Sequence, residues 1–259
     1  MVNLESIEAA ATRIGPSIYE SPLMHSKMLS RLTGNSVFLK LENLQMTGAF
    51  KERGALNRIL TLTEEERRQG VIAASAGNHG QGVAYHATQR GIPAQIWMPR
   101  LTPLIKFSAT RAYGADVVLH GDNYDEACAA AIERSVERKA VFIHPFDDDA
   151  VIAGQGTVGL ELLKQNPELD VIVVPVGGGG LIGGIGCAVK SLNPRVEIVG
   201  VQTARLPSMQ AALEQQGPVD LPAKSTLADG IALKRRMYEL AMEGSVPMIR
   251  LLAKRLLGE

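Results

Sequence analysis

Short apolar runs alternate with longer stretches of mixed polarity along most of the chain. The runs are rich in valine, isoleucine and alanine and show no regular polar alternation, which is typical of strands that are covered on both faces. They fall at residues 37–41, 71–74, 94–98, 115–119, 141–144, 171–176 and 196–201. Helical patterns lie between them at residues 104–113, 124–137, 149–165 and 181–191. This alternation predicts an α/β fold with mostly parallel sheets.

A glycine run follows the predicted strand 171–176 and leads into a predicted helix. Ligands of parallel α/β folds bind beyond the carboxyl ends of the strands, and backbone N–H groups at a helix start can hold a phosphate. A flexible turn is the alternative, but four successive glycines at this boundary make it the weaker interpretation. The candidate phosphate-binding residues are Gly177, Gly178, Gly179, Gly180 and Leu181.

A second predicted strand end, after residue 74, carries small and polar residues that can bind a carboxylate or a ring oxygen. They are Ser75, Ala76, Gly77, Asn78 and His79. Taken alone, this segment slightly favours a simpler interpretation, a serine or asparagine cap on a packed helix. His79 and His86 have no third metal ligand beside them, so both are better explained as hydrogen-bonded structural residues.

Lys51 stands directly before a predicted helix at residues 52–60 and follows Gly48, Ala49 and Phe50. A lysine at a helix start is by default a solvated side chain. Among small and apolar neighbours, however, a lysine can lose its proton and form a Schiff base with an aldehyde. Pyridoxal phosphate requires both such a lysine and a phosphate-binding turn, so the two features together indicate this cofactor.

The bulk composition excludes several classes of function. The 259 residues are 46% hydrophobic and 21% charged, as in an ordinary globular protein. A formal net charge of zero gives no electrostatic basis for binding nucleic acid or an anionic membrane. No apolar run approaches the ~20 residues that span a bilayer, and the N-terminus lacks a signal-peptide pattern, so we expect a cytoplasmic protein. Cys128 and Cys187 form neither a disulfide framework nor a metal-ligand pattern.

Taken together, these segments closely resemble the fold-type II pyridoxal-phosphate enzymes, specifically the threonine ammonia-lyase (threonine dehydratase) branch. The matching stretches follow the family's order from about Ser21 to Ala232. They are residues 21–23, 39–45, 47–55, 75–82, 144–148, 154–157, 174–181 and 227–232. The resemblance implies two lobes with mostly parallel sheets. We expect a large cofactor-binding lobe from residues 1–50 and 147–259, and a small lobe from residues 51–146.

The resemblance also implies a role for each candidate residue. Lys51 resembles the lysine that joins the cofactor and then removes the Cα proton of the substrate, and Phe50 packs beside the ring. Asn78 resembles the side chain that binds the ring hydroxyl oxygen, and Gly230 lies near the ring through its backbone. The glycine run with Leu181 resembles the phosphate cradle. The loop that binds the substrate carboxylate corresponds to Ser75, Ala76, Gly77 and His79.

The implied reaction is α,β-elimination of water from an amino acid, followed by hydrolysis of the released enamine to ammonia and a ketoacid: 2-oxobutanoate from L-threonine or pyruvate from L-serine. Racemases of the family typically carry a second serine where this chain has Ala76, which favours elimination. Cation-binding members carry carboxylates where this chain has Gln202 and Ser208, so we expect no divalent metal site. The alternatives are a truncated, non-catalytic relic that binds pyridoxal phosphate, and a related serine or 3-hydroxyaspartate dehydratase or racemase. The family commonly forms homo-oligomers.

The chain departs from the family pattern after residue 232. The family usually continues for several tens of residues and includes a serine or cysteine, followed by glycines, that binds the pyridine nitrogen. Here Ser245 is the only serine after residue 232, and no Ser-Gly-Gly or Cys-Gly-Gly sequence occurs before Glu259. We therefore expect a large lobe that is shortened and leaves apolar surface uncovered. Preference between threonine and serine depends on one methyl group, about 1–3 kcal/mol, and stays open.

Overall fold

The computed structural model describes residues 1–217, 219–222, 226, 228–231, 235–236 and 249–252. Its α-helices are α1 Leu4–Ile14, α2 Lys27–Thr33, α3 Lys51–Leu60, α4 Glu64–Gln69, α5 Asn78–Thr88, α6 Leu104–Ala112, α7 Tyr124–Arg138, α8 Asp149–Gln165, α9 Gly180–Leu192 and α10 Ser208–Gln215. Its strands are β1 Leu23–His25, β2 Phe38–Lys40, β3 Val71–Ala74, β4 Ala94–Met98, β5 Asp116–Leu119, β6 Val141–Phe142, β7 Val171–Pro175, β8 Glu197–Val201, β9 Val219–Asp220, β10 Arg235–Arg236 and β11 Ile249–Leu252. Every predicted strand and helix is present, with ends that differ by at most two residues.

A four-stranded parallel sheet occupies the middle of the chain, in the order β5-β4-β3-β6. Strand β3 lies inside this sheet and is buried along its whole length, as the continuous apolar run predicts. Helices α5 and α7 pack against β3 and β4. Because β3 and β6 are parallel neighbours, the segments that follow them, residues 75–79 and 143–147, leave from the same edge of the sheet.

A second parallel sheet has the order β11-β8-β7 and packs with α8 and α9. Two short antiparallel pairs, β1 with β2 and β9 with β10, complete the described strands. The prediction of an α/β fold with mostly parallel sheets is therefore confirmed. The lobe boundaries at residues 50 and 147 stay a prediction, although each of the two larger sheets has its own hydrophobic cluster.

Close packing of small residues sets the position of α9, the helix that the glycine run precedes. A Cβ atom built on Gly156 of α8 would lie 3.0 Å from the carbonyl oxygen of Gly184, and one on Gly184 would lie 2.6 Å from the amide nitrogen of Gly156. Neither position accepts a side chain without moving a backbone. The glycines therefore allow α8 and α9 to approach closely, and this contact fixes the start of α9.

Strand β7 corrects one expectation from the sequence. Its apolar run predicts burial on both faces, but the burial alternates: Ile172 and Val174 are buried, whereas Val171 and Val173 are 45% and 63% exposed. The valine-rich run is therefore covered on one face only. Within the described residues, no helix is long and apolar enough to cross a membrane.

Candidate active site

The amino group of Lys51 is held inside the protein. Lys51 is the first residue of α3, and its Nζ donates a hydrogen bond to the carbonyl oxygen of Pro145 at 2.7 Å. The ring centroids of Phe50 and Phe146 lie 5.4 and 6.0 Å from Nζ. The residue as a whole keeps intermediate exposure, but burial lowers the pKa of the amino group to about 8. The default interpretation of a solvated lysine is therefore wrong.

The loop before Lys51 is fixed by a buried carboxylate. Glu52 is fully buried, and its Oε2 accepts hydrogen bonds from the backbone N–H of Thr47 at 2.8 Å and from the Thr47 hydroxyl at 2.7 Å. Gly48, within the same loop, adopts a φ of +72° that side chains rarely tolerate. These contacts determine where α3 starts and hence where Lys51 points.

The glycine turn after β7 is shaped by sterics at every position. Gly178 and Gly180 lie against Phe146: a Cβ atom on Gly178 would overlap the Phe146 ring, and one on Gly180 would lie 2.8 Å from the Phe146 carbonyl oxygen. Gly179 has a φ of +93° and forms the N-cap of α9. A Cβ on Gly177 would lie 3.2 Å from Cα of Ile231. The turn therefore has the bare backbone and helix N-terminus that phosphate binding requires.

Phe146 and Ile231 join the other predicted residues to this turn. The Phe146 ring lies 6.0 Å from the Lys51 amino group and also packs against Gly178. Ile231 belongs to the 3₁₀ turn that contains Gly230, so Gly230 also lies beside the glycine run. Leu181, the second residue of α9, packs against the apolar cluster of the second sheet. The structure therefore brings Lys51, Phe50, the glycine run and Gly230 into one region.

The segment after β3 forms the start of α5. Gly77 is the N-cap of this helix, and its N–H is bonded to the Ser75 hydroxyl oxygen at 3.1 Å. Ala76 packs on the core of the four-stranded sheet. Asn78 is exposed, and its side chain bonds to no other described residue. A capping side chain, the simpler interpretation, is absent from the α5 start as the structure describes it. The free first turn can therefore receive a carboxylate.

His79 is a buried structural residue. Its Nε2 is bonded to the carbonyl oxygen of Ile143 at 2.9 Å. Burial, together with the nearby Lys51 charge, lowers the pKa of His79 to about 3, so the ring is neutral at pH 7. Because a carbonyl accepts, Nε2 carries the proton. The side chain thus ties α5 to the segment that holds Lys51, and any contact of residue 79 with substrate falls to its backbone.

Gln202 has a structural explanation in place of a metal-binding one. It is buried, and its Oε1 accepts hydrogen bonds from the N–H groups of Met209 and Gln210 at 3.1 and 3.4 Å. Its Nε2 donates to the Ser208 hydroxyl at 3.4 Å, so Gln202 caps the start of α10. No group of three or more metal-ligating side chains occurs in the described ranges. Ser245 lies outside the described residues.

Sequence reasoning missed Pro145 and Phe146 as site residues. Both stand in the matching stretch 144–148, but neither side chain carries reactive chemistry, so nothing in the pattern marked them. Their importance comes from a backbone carbonyl and from an aromatic ring that touches a distant glycine. Only tertiary structure brings these groups to Lys51.

Comparison with known proteins finds similar proteins over most of the chain. The family model described as "Pyridoxal-phosphate dependent enzyme" matches residues 14–251. An L-threonine ammonia-lyase from Thermotoga maritima is 52% identical over 235 residues, which cover 91% of this chain and 59% of that protein. A catabolic L-threonine dehydratase from Staphylococcus aureus is 46% identical and covers 90% of this chain and 68% of that protein.

Solved structures share the fold. The processed form of threonine deaminase isoform 2 from Solanum lycopersicum aligns with a TM-score of 0.89 at 40% identity, over 96% of this chain and 69% of that one. Maize serine racemase aligns with a TM-score of 0.90 at 34% identity, over 97% and 77%. The chain spans about three fifths of the length of the first two curated relatives that it matches.

The residues present fit pyridoxal phosphate. An amino group with a lowered pKa stands near a glycine turn that opens a 13-residue helix. A Cβ atom built on Gly77 or Gly230 meets no other atom within 4 Å, so there is open space in front of both. Lys51 would hold the aldehyde carbon, the glycine run the phosphate, and Gly230 the ring from one side.

Proposed function

Because the chain belongs to the pyridoxal-phosphate-dependent enzyme family, we propose that it is an ammonia-lyase that converts L-threonine to 2-oxobutanoate and ammonia, and L-serine to pyruvate. The relatives that carry the name threonine ammonia-lyase or dehydratase, at 46–52% identity, support this substrate class. The observation that carries the proposal is the buried Lys51 amino group, with a pKa of about 8, beside the turn formed by Gly177–180.

The chain's own residues divide the work of elimination. The first turn of α5 and the Ser75 loop orient the substrate carboxylate, because their N–H groups lie at the positive end of a helix. The Lys51 amine removes the Cα proton, since an amine whose pKa is lowered to about 8 keeps a neutral fraction near pH 7 that an ordinary lysine lacks. Pyridoxal phosphate, when bound, supplies the electron withdrawal that stabilises negative charge at Cα. Phe50 and Phe146 exclude water around the amine.

The test combines cofactor labelling with turnover. We expect purified protein with added pyridoxal phosphate to absorb visible light, and borohydride to fix the cofactor on Lys51. Lys51→Ala should remove the labelled peptide and lower 2-oxobutanoate release from L-threonine by about 10³-fold. Lys190→Ala is a matched control, because Lys190 also donates to a proline carbonyl, that of Pro194 at 3.0 Å, but this hydrogen bond is exposed to solvent.

Three outcomes would contradict the proposal. Labelling of a lysine other than Lys51 would remove the site assignment. Labelling of Lys51 without ketoacid from threonine, serine or 3-hydroxyaspartate would instead support the alternative of a cofactor-binding protein without catalysis. Formation of D-serine from L-serine would favour the racemase alternative, which Ala76 argues against because a methyl group cannot donate a proton to the opposite face.

The remaining predictions concern the setting of the reaction. We propose a homo-oligomer in the cytoplasm. The uncovered apolar side chains of β7 support the oligomer, and the relatives named as threonine ammonia-lyase or dehydratase support the location. Sedimentation at several protein concentrations tests whether the protein forms an oligomer. Fractionation of cells that express the protein tests the cytoplasmic location.

A further inference from the structure

The Lys51 amino group is surrounded by uncharged groups. Its hydrogen-bond acceptor is the Pro145 carbonyl oxygen, and its other close neighbours are the rings of Phe50 and Phe146. Within the part of the chain that the structure describes, no carboxylate pairs with it. A carbonyl dipole accepts from an amine in either protonation state, and an aromatic face attracts its ammonium form. The surroundings can therefore hold the amine before and after it loses a proton.

The segment that supplies the carbonyl is itself fixed. The Ile143 carbonyl accepts from His79 of α5, and the Nδ1 atom of His144 accepts from the N–H groups of Phe146 and Asp147 at 3.3 and 2.7 Å. These bonds restrain the backbone on both sides of Pro145. The carbonyl oxygen is thus presented to Lys51 by a preorganised turn and does not depend on a mobile side chain.

The same segment touches the glycine turn. The Phe146 ring lies on Gly178, and the Phe146 backbone lies against Gly180, so closely that neither glycine accepts a Cβ atom. Residue 145 therefore holds the amine while residue 146 contacts the candidate phosphate cradle. The distance between amine and cradle is determined by two consecutive residues.

We propose that the Pro145 carbonyl and the Phe146 ring form a seat that holds the Lys51 amine, directed at the glycine turn, whenever the amine is not bonded to cofactor. Phe146 is accordingly a positioning residue: it acts on Lys51 and not on the substrate. The use of the seated amine in elimination rests on the proposed function. The seat itself is a property of the cofactor-free chain and can be measured without turnover.

The experiment titrates the amine directly. Cofactor-free protein is reductively methylated with carbon-13 formaldehyde, and the Lys51 resonance is assigned by its loss in Lys51→Arg. Its chemical shift is then followed against pH by NMR. Phe146→Leu keeps an apolar side chain but removes the ring face, so the titration midpoint should fall by about half a unit to one unit. Phe146→Tyr retains the ring and should keep the wild-type midpoint.

Phe38→Leu is the matched control, because Phe38 is also half-buried but lies on β2, where its ring centroid is 5.2 Å from that of His25. It should leave the midpoint unchanged. The proposal is wrong if the Lys51 titration midpoint is unchanged or raised in Phe146→Leu, or if it falls by the same amount in the control. If Phe146→Leu does not fold, the wild-type protein decides: the Lys51 methyl protons should show an upfield ring-current shift that disappears in urea, and its absence overturns the proposal.

The two proposals fail in distinguishable ways. In one case borohydride fixes pyridoxal phosphate on Lys51 and threonine is converted, but the Lys51 titration midpoint is the same in Phe146→Leu as in wild type. The seat is then wrong and the ammonia-lyase assignment stands. In the other case the Lys51 titration midpoint falls in Phe146→Leu, but no cofactor attaches to Lys51. The seat then stands and the proposed function is wrong.

Discussion

The buried amino group of Lys51 leads to a prediction about stability as well as one about catalysis. Burial lowers its pKa from 10.5 to about 8, so the folded state disfavours the ammonium form relative to the unfolded chain. Below pH 8 the cofactor-free protein carries this cost in full, and between pH 8 and 10.5 the cost disappears as the folded state loses the proton first. Lys51→Met should therefore raise the free energy of unfolding by about 1–2 kcal/mol at pH 7, after the lost hydrogen bond to Pro145 is subtracted.

The measurement is urea unfolding of the cofactor-free protein at pH 7 and pH 10.5. The gain should be present at the lower pH and absent at the higher one. Lys190→Met replaces a lysine whose hydrogen bond is exposed to solvent and should change neither value by more than ~0.5 kcal/mol. A gain that persists unchanged at pH 10.5 would mean that apolar packing, not the buried charge, is responsible.

The close packing of Gly178 against Phe146 leads to a prediction about stability and cofactor attachment. A Cβ atom at this position would overlap the Phe146 ring, so Gly178→Ala must displace Phe146 and should cost about 1–3 kcal/mol of stability. It should also weaken cofactor labelling of Lys51, because the ring that borders the amine has moved. Gly183→Ala, inside α9, is the control: its Cβ meets no atom within 4 Å and should cost nothing. Thermal unfolding measures the stability of both variants, and borohydride labelling measures cofactor attachment to Lys51 in both. Equal results for Gly178→Ala and Gly183→Ala would contradict the prediction.

At the scale of single residues, reactive chemistry could be predicted and steric partners could not. A lysine among apolar neighbours and a run of four glycines are visible in the sequence, and the structure brings them together. The reason that Gly178 is a glycine lies in Phe146, 32 positions earlier, and no local pattern reports that contact. The orientation of His79 toward the Ile143 carbonyl is equally a tertiary property.

Helix α3 is tied to its neighbours by a buried ion-pair network centred on Arg53. Arg53 is 1% exposed and forms two hydrogen bonds to Glu42, both at 2.8 Å, and two to Glu161, at 2.6 and 2.9 Å. Lys40 pairs with the same Glu161 at 2.5 Å. Burial opposes ionisation of Glu42, but the Arg53 hydrogen bonds hold the pKa of that carboxyl below its usual range. The network anchors the helix that carries Lys51 to α8.

Arg53→Met should destabilise the protein by about 3–5 kcal/mol, because it leaves the Glu42 carboxylate without its cation. Arg58→Met, one and a half turns along the same helix, is the control. The Arg58 side chain is 21% exposed and makes one ion pair, with Asp148, so its loss should cost less, about 1–2 kcal/mol. Equal losses in urea unfolding would show that the Arg53 network contributes no more than this single half-buried pair.

At the scale of elements, strand and helix positions followed from apolar runs, but burial did not. Strands β3 and β7 are both apolar without interruption, yet β3 is buried throughout and β7 alternates. The difference depends on what covers each face of the sheet, which a run of valines does not encode. Strand β1, with only three residues, was not predicted, because so short a run resembles its surroundings.

At the scale of the whole molecule, the two larger sheets differ in how well they are covered. In the described part of the chain, β7 pairs with β8 alone and exposes Val171 and Val173 on one face. The paired strands β1 and β2 likewise expose Met24 and Leu39, which lie opposite each other in register. Exposed aliphatic side chains on short strands favour association with another chain.

Val173→Lys should therefore reduce self-association without unfolding the protein. Val173 is 63% exposed, so a lysine there can reach water, and the free energy of unfolding should change by less than ~0.5 kcal/mol. Sedimentation velocity at increasing concentration should show a smaller associated fraction than in wild type. Leu104→Lys places the same charge on α6, at a residue that is 75% exposed and lies outside the β7 sheet. If both variants reduce association equally, net charge and not the β7 face controls it.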